Sequence, residues 1–129
     1  MGLNFAYGKV MDENNEDYSY KYYSDFKWSY GSFYSFRIKL ASEIRMNLVD
    51  MDGFAGDIPF SNYDDDIIPF LNHCDCEGNL SVEDCKKVAP RLRELIKNWK
   101  NDDYDKVNAL KLANLMDKCI ELDEELIFT

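Results

Sequence analysis

The chain has 129 residues, a formal net charge of -10 at pH 7, 46% hydrophobic residues and a single histidine. That length corresponds to one domain able to bury a core. So acidic a balance excludes a general grip on nucleic acid, which depends on Lys and Arg displacing counterions from phosphate. No apolar run approaches the roughly 20 residues that a bilayer crossing takes, and the N-terminal MGLNFAYGKV lacks the basic and apolar regions of a signal peptide. A cytoplasmic protein without a membrane partner is therefore expected, with its cysteines kept as thiols.

The charge is unevenly spread. Between Arg45 and Lys86 there is no Lys or Arg, whereas Asp50, Asp52, Asp57, Asp64, Asp65, Asp66, Asp75, Glu77, Glu83 and Asp84 all lie there. Such a segment is a solubilising face, a cation site, or a surface offered to a protein partner with a basic surface. For the last of these, Asp57, Asp64, Asp65 and Asp66 are the candidate contact residues.

In chain order, LNFAYGKV at 3–10 alternates as a short strand does, and a polar connection follows at 11–17. Tyr18, Tyr20 and Tyr22, then Phe26, Trp28 and Tyr30, recur with period two and predict an extended stretch or hairpin. These aromatics either cover a face of the core or, through Tyr22, Phe26, Trp28 and Tyr30, form a surface on which a small molecule or nucleotide stacks. Ser29 or Ser32 caps a helix running to Arg45, with Phe33, Phe36, Leu40, Ala41 and Ile44 as its buried stripe and Arg37 and Lys39 off it. Residues 46–60 read as an irregular loop, either functional or packed by its own Phe54 and Phe60. A short helix opens near Asp65 or Asp66 and carries Ile67, Ile68, Phe70 and Leu71, with Pro69 in its first turn.

Ser81 and Asp84 form a variant capping box at the start of a strongly patterned helix, whose stripe is Cys85, Val88, Ala89, Leu92, Ile96 and Trp99. Pro90 is expected to kink or divide it. Its other face bears Lys86, Arg93, Lys97 and Lys100, which answer the chain's own acids or contact phosphate. Asp102 or Asp103 caps a last helix to about Leu122, striped by Ala109, Leu112, Ala113, Met116, Cys119 and Ile120. The terminal ELIFT reads as a strand to pair with LNFAY. The expected class is mainly α (α+β): three to four helices with a small antiparallel sheet or hairpin from the N-terminal and C-terminal strands, in a single compact domain over 1–129.

The turn HCDCEGNLSVEDC, residues 73–85, concentrates potential ligands within an EF-hand-like helix-loop-helix turn at 66–100. Aligned on Gly78, the calcium-loop frame places His73 first, Asp75 third, Glu77 fifth and Asp84 twelfth, with the Asn79 carbonyl as backbone ligand. Ca2+ or Mg2+ would use His73, Asp75, Glu77, Asn79 and Asp84, although His73 and Asp84 replace the usual Asp and bidentate Glu. Zn2+ would use His73, Cys74, Cys76 and Cys85, without a C-x2-C knuckle and with Cys85 in register with a buried stripe. A catalytic reading has only His73 for a nucleophile's base, and no G-x-S-x-G elbow, phosphate-binding P-loop or G-x-G-x-x-G occurs, so a non-enzyme is expected.

The segments GLNF, WSYGSFYSFR, HCDCEGNLSVEDC, VAPRLRELI and the terminal LIF together resemble a family of small proteins from bacteria and their prophages, in which the turn usually reads HSDCDGEL. The resemblance spans nearly the whole chain. Cys74 departs from the family's Ser and Glu77 from its Asp, which argues against Cys74 as an obligatory ligand. The resemblance brings no established activity; a prophage setting implies an inhibitor of a host protein. The expected function is a non-catalytic acidic interaction protein of that kind. The alternatives are a small metal-binding module and an aromatic-lined binder of a small molecule or nucleotide.

Overall fold

Capping and hydrophobic spacing set the helices. The computed structural model describes residues 3–11, 18–24, 26–73 and 78–129. Ser29 caps α1 (Tyr30–Ser42), its hydroxyl accepting from the Ser32 amide. The regular bonding of α1 ends at Ser42, earlier than Arg45, because Arg45 takes a left-handed turn (φ 61°) and the Met46 amide reaches back to the Ala41 carbonyl at 3.0 Å. Ser81 caps α3 (Val82–Ile96) by accepting from the Asp84 amide, and Asp103 caps α4 (Tyr104–Leu122) by accepting from the amides of Asp105 and Lys106. Between α1 and α3 lies α2 (Ile68–Leu71), with Pro69 in its first turn as expected. Pro90 lies inside α3, which runs on through it, so of the expected kink or division the division does not occur: the Lys86 carbonyl that Pro90 cannot serve is on an exposed residue, where water can bond it.

Four strands form one antiparallel sheet. β1 (Phe5–Met11) pairs with β2 (Tyr18–Tyr23), β4 (Leu126–Phe128) pairs with β1, and β3 (Gly78–Leu80) closes the order β2-β1-β4-β3. The expected pairing of the two terminal segments is therefore present, with Phe5 opposite Phe128 and Ala6 opposite Ile127. β3 was not legible, since three residues, GNL, carry no period. The helix-loop-helix stretch at 66–100 consists of α2, a connection, β3 and α3, and the β3 strand is spent on β4. The polar connection at 12–17 lies outside the described residues.

The core lies between the sheet and the helices, and most of its rings come from the aromatic-rich N-terminal third. Trp28, Phe33, Phe36, Phe5, Phe70 and Phe128 are almost completely buried and meet at ring-centroid distances of 4.6 to 6.5 Å. Backbone bonds between Leu3 and Trp28, 2.6 and 3.1 Å, hold the second half of that stretch against the sheet. The buried stripes of α3 and α4 face each other, and Trp99 and Ile120 at their margins are half-buried. No helix among the described residues is long and apolar enough to cross a membrane.

Two cations tie helices together. Lys106 is buried, and its Nζ donates to the carbonyls of Lys97 and Trp99 and to Asn101 Oδ1, satisfying the carbonyl end of α3 with a positive charge. Lys39 pairs with Asp103 at 2.8 Å and lies 4.2 Å from the Trp99 ring centre, joining α1 to the start of α4.

Candidate functional site

The ligand-rich turn is organised from below by Arg37. This side chain is only 1% exposed. Its guanidinium stacks 5.0 Å from the ring centres of both Phe33 and Phe54, and Nη1 donates to the His73 carbonyl at 2.6 Å and the Leu71 carbonyl at 3.5 Å. Placing Arg37 off the stripe of α1 is thus corrected: it lies four residues after Phe33, on the same helix face, and its charge is carried inward because backbone carbonyls and ring faces receive it.

Among the described residues, three contacts hold His73. Its ring stacks on Phe128 at 4.0 Å, Nε2 lies 3.0 Å from the Asn79 carbonyl, and its own carbonyl accepts from Arg37. Gly78 takes φ 110°, a backbone that favours glycine, and a Cβ there would crowd the His73 ring at 3.0 Å from Cε1.

The metal candidates are only partly within the described residues, because Cys74, Asp75, Cys76 and Glu77 lie outside them. The remaining candidates have other work. The Asn79 carbonyl meets His73 and its side-chain amide donates to Glu125, while Asp84 sits in the first turn of α3. Cys85 is fully buried, and desolvation foremost, with Cys119 and Asp84 adding, pushes its thiol up to about 12. Cys85 packs in the core, in the buried stripe of α3. Among the described residues no group of three or more His, Cys, Asp or Glu side chains could hold a metal ion.

The aromatic surface is also corrected. Trp28 is 0% and Phe26 9% exposed, because both turn into the core with Phe5 and Phe33, and Tyr30 is half-buried against it. Only Tyr22 of that set is exposed, and its ring stacks on Tyr7 at 4.8 Å.

The acidic candidates divide. Asp57, Asp64 and Asp66 are exposed, as are Asp50 and Asp52. Asp65 is instead held by Arg91 through two hydrogen bonds, 2.9 Å from Nε and 2.8 Å from Nη2, which removes it from the partner-facing set. Those bonds, with help from the Ile67 amide and against desolvation, hold its carboxyl below the usual carboxylate range. A depressed carboxyl stabilises the fold above its unfolded pKa, about 3.9, and that contribution is lost as pH falls through the folded value. Asp65→Asn is accordingly expected to cost about 1 to 2 kcal/mol at pH 7 in urea melts, and the gap to the parent chain should narrow below about pH 4.

The loop bearing these acids is a folded platform. The Asp52 amide donates to the Ile58 carbonyl at 2.9 Å and the Ile58 amide to the Asp50 carbonyl at 3.1 Å, and Phe60 is buried. A Cβ on Gly56 would stand 2.0 Å from the Asp50 carbonyl oxygen, so only glycine closes this ring. Gly53 (φ 91°) and Ala55 (φ 89°) present Phe54 between them, a strained arrangement for the alanine.

Beside this platform a cleft of about 600 Å³ opens, lined by Tyr34, Arg37, Asp52, Phe54, Asn72 and His73 among others. Its size is that of a small-ligand site. It draws on α1, on the 51–58 loop and on the residues after α2, which is why no local pattern announced it. Compared with known proteins, the chain matches no family model, no curated protein and no solved structure.

Proposed function

We propose that this chain is a non-catalytic interaction protein, of the type by which a phage inhibits a host protein, and that its acidic 46–66 platform docks on a basic protein surface. The observation that carries this reading is a segment without Lys or Arg whose Asp50, Asp52, Asp57, Asp64 and Asp66 are exposed on a backbone held by its own hydrogen bonds. Fixed like charges raise the local potential without an ordering cost on binding, and they speed encounter with an oppositely charged surface.

An octalysine peptide followed by fluorescence anisotropy tests it. Binding should weaken steeply from low salt to 0.5 M NaCl, as the screening length falls. Reversal of Asp57, Asp64 and Asp66 to Lys should weaken it at least tenfold, far more than the same reversal at Asp102, Glu121 and Asp123, three exposed acids outside the acidic segment. Asp65 is left intact because its loss would unsettle the fold. Equal effects from the two triple variants would remove the platform reading.

A further inference from the structure

We infer that the groove between Phe26 and α4 is a second docking site, for an acidic segment of a partner protein that carries a bulky apolar side chain between its carboxylates. The inference is independent of the acidic platform. The groove encloses about 270 Å³ and is lined by Phe26, Lys111, Asn114, Leu115 and Lys118. That volume suits one side chain rather than a whole small-molecule ligand, for which about 300 to 1,000 Å³ is usual. Phe26 and Leu115 give it an apolar floor that the core holds in place: Phe26 is 9% exposed with its ring 5.6 Å from that of Phe5, and Leu115 is half-buried.

The polar atoms around that floor are donors. Asn114 spends its Oδ1 on Arg93 at 2.9 Å, which leaves the Nδ2 hydrogens for a ligand. The neighbouring acid, Asp117, is taken up by the same arginine at 2.6 and 3.3 Å. Lys111 and Lys118 are exposed. Lys111 makes no ion pair among the described residues, and its Nζ lies 5.9 Å from the Phe26 ring centre, at the outer limit of attraction by the ring. Lys118 meets Glu121 at 3.5 Å with both side chains mostly exposed, a weak pair that a partner carboxylate can replace. The two lysines stand two turns apart on one face of α4, roughly 10 Å along its axis, with Leu115 between them. An apolar side chain flanked by anions is therefore what the groove selects, and a cationic or purely polar segment gains little from it.

The chain's net charge of -10 does not oppose such a contact. The acidic platform lies beside the residues after α2, which lead to β3, whereas Phe26 follows β2 at the opposite edge of the sheet. At physiological salt, exposed charges more than about 8 Å apart are largely screened from each other.

The experiment follows the anisotropy of two fluorescein-labelled peptides on the whole chain at about 0.15 M NaCl. One has a phenylalanine between two runs of glutamates, and the other has serine in its place. The groove predicts that the phenylalanine peptide binds about fivefold more tightly than the serine peptide, and that Leu115→Ala brings this preference below about twofold. Lys111→Gln and Lys118→Gln should each weaken the phenylalanine peptide about threefold, whereas the double change Lys97→Gln with Lys100→Gln, at two exposed cations near the end of α3, should leave it unchanged. Equal binding of the two peptides, binding of neither, or lysine variants in the groove no weaker than the control pair overturns the site. None of these outcomes bears on the octalysine test, so the platform stands or falls separately.

Discussion

Arg37→Met is expected to lower the unfolding free energy by about 2 to 4 kcal/mol, a large fraction of what a domain of this size possesses. The methionine fills much of the volume but donates nothing. The carbonyls of His73 and Leu71 then lose a charged donor in a place where the side chain they met was 1% exposed. An unsatisfied buried carbonyl costs about 1 to 3 kcal/mol, and the two ring contacts to Phe33 and Phe54 add a smaller loss. Arg37→Lys should restore little, because one ammonium cannot stack flat between two rings and reach both carbonyls. The urea midpoint measures the cost. A variant within about 0.5 kcal/mol of the parent would mean that the guanidinium is not needed to hold residues 71–73.

Phe128→Ala should be the most damaging single change in the sheet, at about 3 to 5 kcal/mol, with the melting temperature falling by roughly 10 °C or more. Phe128 sits on β4, an inner strand, and its ring meets Phe5 at 5.1 Å, Phe70 at 6.4 Å, Phe33 at 6.5 Å and His73 at 4.0 Å. Truncation would open a cavity bounded by four rings from both halves of the chain and loosen the histidine. Ile127→Ala is the internal comparison. It changes the neighbouring residue, which points to the other face and is only half-buried, and it should cost about 1 kcal/mol. Equal costs at the two positions would contradict the facing of β4.

How far the chain could be read by eye depended on the range of the interaction concerned. A helix cap is decided within four residues. Ser81 therefore stood out as it is, and Ser29 and Asp103 were each one of two neighbouring choices. The buried stripes of α3 and α4 were legible because hydrophobic spacing records which side of a helix faces the core without saying what it meets. The aromatic-rich third was readable as either core or surface. Only the closure of Leu3 onto Trp28, across more than twenty residues of chain, decides for the core.

What the sequence by itself determined is the set of local preferences: three long helices, a strand at each end, and a charge map with one segment empty of cations. The tertiary structure decided which polar groups are spent internally. Arg37 goes inward because two carbonyls and two rings surround it. Asp65 leaves the acidic face because Arg91, 26 residues further along the chain, reaches it. Cys85 is buried because α3 packs its stripe against α4. The cleft exists because α1, the 51–58 loop and the end of α2 converge there. Each of these outcomes depends on desolvation and on partners distant in sequence, quantities that residue type and spacing do not contain.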